Sequence, residues 1–303
     1  MCYNLLLFPK SNGYFTGVAD RFFRGRRSPS ASVVIDFGKR YLTHTVAGMC
    51  GPFKTLLAQR SLVRLLLRRD IKLRTSGTIL GGLWMILQPA LQVAALWFLL
   101  DVILHIKFPG MVSFLDYFLI GMVPWLMMSE IMVRNLSVLN EFSALYQRAV
   151  FPVAVLPMLP ALVSGLVYGV IYFVLVLILQ GSGAAVRSVP VILGLLIWLV
   201  PIGYLLAVLG LFIKDAGNSV GFILTMTMYL TPIIYMPEML PEFARQLLVL
   251  NPFADVMAII HGVLQGMPFE IGNVLRPMLL WVLLLAPAWV LFCRSEPHMR
   301  EEL

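Results

Sequence analysis

Six stretches between residues 79 and 293 are almost free of charge. Each runs to about 20 residues or more, the length one α-helix needs to cross a hydrocarbon core of about 30 Å. They are residues 79–104, 114–133, 149–179, 189–213, 216–236 and 274–293. In lipid no water satisfies the backbone, so such a chain folds into helices that hydrogen-bond within themselves. Composition agrees. Apolar residues make up 60% and charged residues 13%, with a mean hydropathy of +0.88, where a soluble domain carries about a quarter charged residues. A soluble enzyme and a disordered chain are excluded. The expected fold class is an all-α integral membrane protein with six transmembrane helices.

Prolines mark where these helices break. The third stretch opens with Pro152, Pro157 and Pro160, whose missing N–H groups set its first turns apart as a separate interfacial piece. Only Lys214 and Asp215 separate the fourth and fifth stretches, which predicts a tight turn at the membrane surface. Residues 237–273 hold two shorter apolar pieces, 240–250 and 253–266, bounded by Pro237, Pro241, Pro252 and Pro268. Each falls below the minimum of about 17 residues for a span. They read as a re-entrant helical pair before the last span; two amphipathic helices on the membrane surface are the alternative.

Charge sets the orientation. Of the 23 Lys and Arg, 14 precede the first span, opposed only by Asp20, Asp36 and Asp70. Positive charge beside the first span holds that end in the cytoplasm, and six spans return the C-terminus there. Loops assigned to the inside then carry 19 basic residues, and those outside carry four: Lys107, Arg187, Arg245 and Arg276. This asymmetry accounts for the net charge of +8 without nucleic acid as a partner. The apolar run at residues 5–8 is too short for a signal peptide. Residues 1–53 read as a basic cytoplasmic tail near anionic lipid; a start at Met49 would leave that tail out.

Residues 54–74 (KTLLAQRSLVRLLLRRDIKLR) read as an interfacial amphipathic helix. Arg60, Arg64, Arg68 and Lys72 recur every four residues, with Leu62, Val63, Leu66, Leu67 and Leu73 roughly opposite. A basic amphipathic helix before a span lies in the headgroup plane with its apolar side in lipid. Its arginines either anchor the topology alone or also meet an anionic lipid-linked substrate. On the second reading Arg68, Arg69, Lys72 and Arg74 receive the headgroup, since guanidinium groups bind phosphate bidentately.

The remaining chemistry is sparse. Cys2, Cys50 and Cys293 are far apart and the four histidines are scattered, so neither a disulfide framework nor a metal site is expected. Asp101, Asp116, Glu130 and Asp215 sit near span ends. Ion-coupled carriers place ionisable or unwound sites at mid-membrane, so ion coupling is disfavoured. No G-x-x-x-x-G-K-[ST] loop occurs, so the chain binds no ATP through a P-loop. Gln88, Gln92, Thr225, Thr227 and Thr231 inside spans, and the pairs Gly165/Gly169 and Gly217/Gly221, suit helix–helix packing.

One short cytoplasmic element, residues 134–148, separates the second and third spans. Glu130 and Arg134 are one turn apart and can pair. Residues 140–148 (NEFSALYQR) place Glu141 at the start and Arg148 at the end, the order a helix dipole favours, so a two-turn helix is expected. Phe142, Leu145 and Tyr146 then share an apolar face. That face either folds back on the membrane or inserts into a groove of a separate ATPase subunit.

Residues 68–92 (RRDIKLRTSGTILGGLWMILQPALQ) resemble the opening signature of permease subunits of polysaccharide-exporting ABC transporters of the type-2 exporter class. There a basic R-D-[IL]-K-x-R run precedes a small-residue turn, L-G-x-x-W and Q-P. Residues 138–157 (VLNEFSALYQRAVFPVAVLP) are similar to that family's coupling segment and its entry into the third span. Residues 212–220 (FIKDAGNSV) resemble its charged turn, and 231–241 (TPIIYMPEMLP) with 251–253 (NPF) its re-entrant region. The likeness begins near Leu57; Thr75 and Ser76 stand where an aromatic residue is frequent.

The resemblance implies a homodimer in the bacterial inner membrane, docked on two copies of a cytoplasmic ABC ATPase subunit that carries ATP and Mg. No cofactor is implied on this chain. The implied cargo is a lipid-linked polysaccharide, with an O-antigen-like glycan favoured over teichoic acid and capsular chains. It makes Trp84, Tyr117, Trp125, Tyr172 and Tyr229 candidates for rings lining a sugar conduit, although residues of this kind near span ends also serve as interface belts. A drug- or lipid-export permease, an ATP-independent channel and a membrane glycosyltransferase are the competing classes. Asp116 and Glu130, near opposite faces of the membrane, do not form the carboxylate pair the last would need.

Overall fold

The computed structural model describes residues 57–75, 80–105, 108, 113–146, 152–268 and 270–299. The basic tail 1–53 and Arg148 lie outside these. Every regular element among the described residues is helical.

The amphipathic segment forms α1 (Arg60–Thr75). Arg60, Arg64, Arg68 and Lys72 are exposed along it, while Val63 and Leu66 are buried. The side expected in lipid is covered largely by protein, because Val63 and Leu66 cluster with Val138, Leu139, Phe142 and Leu156.

Next come α2 (Trp84–Trp97) and the central helix α3 (Phe114–Glu141). A 3-10 turn (Gly81–Leu83) leads into α2 and a π turn (Phe98–Ile103) extends it. The second helix barely touches the bundle, whereas α3 is buried along most of its length. It continues past residue 133, where lipid-length reasoning stops it. There Asn135, Leu136, Val138 and Leu139 enter protein rather than water, and the Asn135 amide bonds back to the Ile131 carbonyl at 2.8 Å. A single turn, α4 (Ser143–Tyr146), follows.

The proline-rich entry to the third span is a 3-10 helix (Val153–Met158), and α5 (Leu159–Gln180) continues it. All six 3-10 residues are buried, so this piece belongs to the core and not to the interface. Tyr204 donates a hydrogen bond to the Ala154 carbonyl. Gly181, with φ +83°, stands alone between α5 and α6 (Ser182–Phe212). The small residues at 182–185 extend α6 ahead of the expected start at 189.

The chain then forms α7 (Ala216–Leu230), α8 (Glu242–Leu248), α9 (Pro252–Gln265) and α10 (Ile271–Met299). Trp198 and Trp281 lock α6 to α10 through indole bonds to the Pro277 and Ile197 carbonyls at 3.1 and 2.9 Å.

Among the described residues, five segments are long and apolar enough to cross a membrane: Gly81–Ile103, Phe114–Glu141, Val153–Gln180, Ser182–Phe212 and Ile271–Glu296. The expected fifth span is shorter than read. With 15 residues, α7 rises about 22 Å. Thr231 turns extended before Pro232, because proline disfavours helix in the residue preceding it.

The pair α8 and α9 is bent by 93° and counts as a sixth crossing only if taken as one broken span. Asn251 makes the break. Its carboxamide accepts from the Phe253 N–H and donates to Thr231 Oγ1, both at 3.0 Å, and Pro252 starts α9, a position that needs no N–H. Val256, Met257, Ile260 and Leu264 of α9 are buried with Phe118 and Trp125 of α3. This helix packs within the bundle and does not lie on its surface, whereas α8 buries no residue.

Candidate functional site: a side chamber above an ion-pair network

A cavity of about 650 Å³ opens between α2, α3, α5 and α7. Its walls mix amides, hydroxyls and rings: Gln88 and Gln92 from α2, Ser129 from α3, Tyr168 from α5, and Thr225 from α7. Arg74, Glu130 and Arg134 stand at the end nearest α1.

Those three belong to a network that joins α1 to α3. Arg74 pairs with Asp70 at 3.1 Å and with Glu130 at 2.7 Å. Arg134 pairs with Asp70 at 2.7 Å and with Glu141 at 3.7 Å. Ser164 of α5 donates to Glu130 at 2.9 Å. The expected Glu130–Arg134 pair is thus replaced by tertiary partners, because α1 brings opposite charges to both residues. Asp70 is nearly buried, and a carboxylate removed from water needs this degree of compensation. Arg74 Nη2 and Arg134 Nε are buried without a hydrogen-bond partner among the described residues.

The four basic residues singled out on α1 therefore differ. Arg68 and Lys72 are exposed, Arg69 lies 5.4 Å from the ring centre of Phe142, and Arg74 is held inside the network.

The five candidate conduit rings also separate. Trp84, Trp125 and Tyr229 line the chamber. Trp84 and Tyr229 are 41% and 49% exposed, whereas Trp125 is 2% exposed and packs edge-on against Phe253. Tyr172 is fully buried, its hydroxyl donating to the Ile120 carbonyl at 2.9 Å. Tyr117 lines a different cavity, stacks on His261 at 3.9 Å, and donates to the Pro232 carbonyl at 3.0 Å. Tyr168, not among the five, lines the chamber near Glu130.

In the coupling segment helix α3 absorbs Asn140 and Glu141, the chain turns at Phe142, and α4 resumes at Ser143; the end of the expected two-turn helix, at Gln147 and Arg148, lies outside the described residues. Phe142 is 2% exposed and sits in the cluster with Val63 and Leu66; the side chains of Leu145 and Tyr146, expected on the same face, lie outside the described ones.

Long apolar helices around a polar side chamber define a multi-pass membrane protein of the permease class. The chain belongs to the ABC-2 type transporter family, whose pattern matches residues 61–265, more than half of its length. It is similar to the O-antigen export system permease protein RfbA of Myxococcus xanthus, with 28% identity over 215 residues, 67% of this chain and 80% of that protein. RfbA of Klebsiella pneumoniae is 25% identical over 195 residues, 62% of this chain and 74% of the relative. The polysialic acid transport protein KpsM of Escherichia coli is 25% identical over 206 residues, covering 66% and 79% respectively.

Proposed function

We propose that the chain is the membrane subunit of an exporter that moves a lipid-linked polysaccharide, O-antigen-like in kind, out of the cytoplasm across the bacterial inner membrane. The observation that carries this is the side chamber. Exposed rings at Trp84 and Tyr229 and the amides Gln88 and Gln92 line a path with stacking and hydrogen-bonding surfaces but no buried charge along its middle. A sliding sugar chain needs such a wall, since tight sites would stall it.

The chamber is open at the side, flanked by α2 and by the exposed residues Phe222, Ile223, Met226 and Leu230 of α7. A second copy of the chain, related by a twofold axis, would cover these apolar faces and close the conduit; homodimers of this symmetry are the commonest assembly. The end bearing α1 faces the cytoplasm, with both termini, and the exposed stripe of Arg60, Arg64, Arg68 and Lys72 attracts the anionic lipid headgroup. Arg69 and Arg74 tie that stripe to the bundle. Energy comes from two copies of an ABC ATPase docked at α4 and its flanks, Glu141 to Arg148, with ATP and Mg bound there and not on this chain.

The test is purification in mild detergent from cells that carry the locus. A co-purifying ABC ATPase, together with loss of surface polysaccharide when the chain is deleted, is the expected result. Full surface polysaccharide in the deletion strain would overturn the reading.

A further inference from the structure

A second cavity, larger at about 880 Å³, lies at the opposite end of the bundle, between α3, α8, α9 and α10. Its size falls within the roughly 300–1,000 Å³ of small-molecule pockets. At its wall sits Asp255, only 3% exposed. Asp255 Oδ1 accepts from the Asn273 amide at 2.7 Å and from the Arg276 guanidinium at 3.0 Å. Asp255 Oδ2 is buried with no partner among the described residues. A buried carboxylate oxygen left unpaired is unfavourable, so a donor from a ligand would relieve it.

The chemistry of the lining narrows that ligand. Glu238, Asp255 and Glu270 bring three negative charges, and Arg245 and Arg276 two positive ones. Both guanidiniums are already engaged, Arg276 with Asp255 and Arg245 with the carbonyls of Pro237 and Glu238, each at 3.4 Å. A phosphate or a nucleotide would meet net negative charge and no unengaged cation among the described lining residues. A metal ion fares no better, since no cluster of three suitable ligands exists among the described residues. What fits is a neutral polyhydroxyl compound. Its hydroxyls can donate to Asp255, Glu238 and Glu270 and accept from Asn273, while its C–H faces lie on Met236 and Ala258.

We propose that this cavity is a saccharide-binding site that holds sugar units of the exported glycan at the exit end of the permease. The inference rests on the export reading, which puts α8 and α9 at the outer face. Weak engagement of successive emerged units there would oppose their return without stalling the chain.

The probe is polysaccharide from the surface of cells carrying the locus, freed of its lipid by mild acid. It is titrated calorimetrically against the complete complex in nanodiscs. Saturable binding is expected. Ala258→Phe, which projects a ring into the cavity, should weaken it at least tenfold. The pair Glu238→Gln and Glu270→Gln, both exposed and harmless to folding, should weaken it at least threefold. Ile178→Ala, exposed on α5 and outside both cavities, should leave it unchanged, and inorganic phosphate should not compete. Binding unaffected by the Glu238→Gln/Glu270→Gln pair, or displaced by phosphate, overturns the proposal. The deletion strain separates the two readings. If it retains its surface polysaccharide, export itself is the failed premise; if it loses it while the variants bind as the parent does, only the outer site fails.

Discussion

Arg74 of α1 and Glu130 of α3, 56 residues apart in the chain, meet at 2.7 Å. This pair seats the amphipathic helix on the bundle at the mouth of the side chamber, and with Asp70 and Arg134 it forms a four-member relay of alternating charge. Such a relay ties the C-terminal end of α3 to α1, because both arginines bridge the two helices.

Without Arg74, Asp70 keeps Arg134, and Glu130 keeps the Ser164 hydroxyl but loses its ion pair. Arg74→Ala is therefore expected to lower the thermal midpoint of the detergent-purified protein. Arg74→Ala combined with Glu130→Ala should cost less than the sum of the two single changes, since contacting residues are not additive. Strict additivity in this cycle would show that the two residues are not coupled.

Phe142 is buried beneath Arg69 and among Val63 and Leu66. Truncating a buried phenylalanine costs about 3–5 kcal/mol, so Phe142→Ala should destabilise the protein whether or not an ATPase is present. Tyr146→Ala is the cleaner probe of docking. It should reduce ATPase co-purification while leaving the thermal midpoint of the isolated subunit near that of the parent. Equal ATPase recovery would remove Tyr146 from the docking surface.

The glycines divide by what a methyl group would meet. At Gly210 it would collide with the Leu136 carbonyl, and at Gly165 it would stand 2.7 Å from the Leu196 side chain. At Gly217 and Gly221 nothing lies within 4 Å. Gly210→Ala should abolish stable folding, because backbone cannot yield as a side chain can. Gly217→Ala should leave the subunit's own stability unchanged, as read by size-exclusion and thermal melting.

What the sequence disclosed follows from which solvent each segment meets. The spans were legible because lipid demands an uninterrupted apolar run, and the break at Asn251 because Pro252 announces it. The ends of α3 and α6 were not, since protein packing around Asn135 and the run of small residues at 182–185 extends each helix beyond the lipid-length stretch. The ion pairs were misassigned for a related reason. One-turn spacing offered Glu130–Arg134, whereas the partners come from a helix more than fifty residues away. Asp255 gave no signal, because Asn273 and Arg276 lie on the next helix. Tyr168 lay hidden among many aromatics; its place beside Glu130 is a tertiary fact.

The same distinction sorts the five aromatic candidates and yields the sharpest test of the chamber. Tyr172 is enclosed and its hydroxyl serves the Ile120 carbonyl. Tyr172→Phe should lose about 1 kcal/mol, the net worth of one hydrogen bond, and Tyr172→Ala several times more, with export falling only as folded protein falls. Trp84 and Tyr229 are half exposed toward the cavity between α2 and α7, so their rings support little packing. Trp84→Ala and Tyr229→Ala should leave the thermal midpoint near that of the parent while slowing polysaccharide export per folded transporter. Export rate is read by pulse-labelled surface glycan, normalised to complex recovered from the same membranes. Full export from the Trp84→Ala/Tyr229→Ala double variant at normal abundance would mean that these rings only border the lipid and that the glycan takes another route.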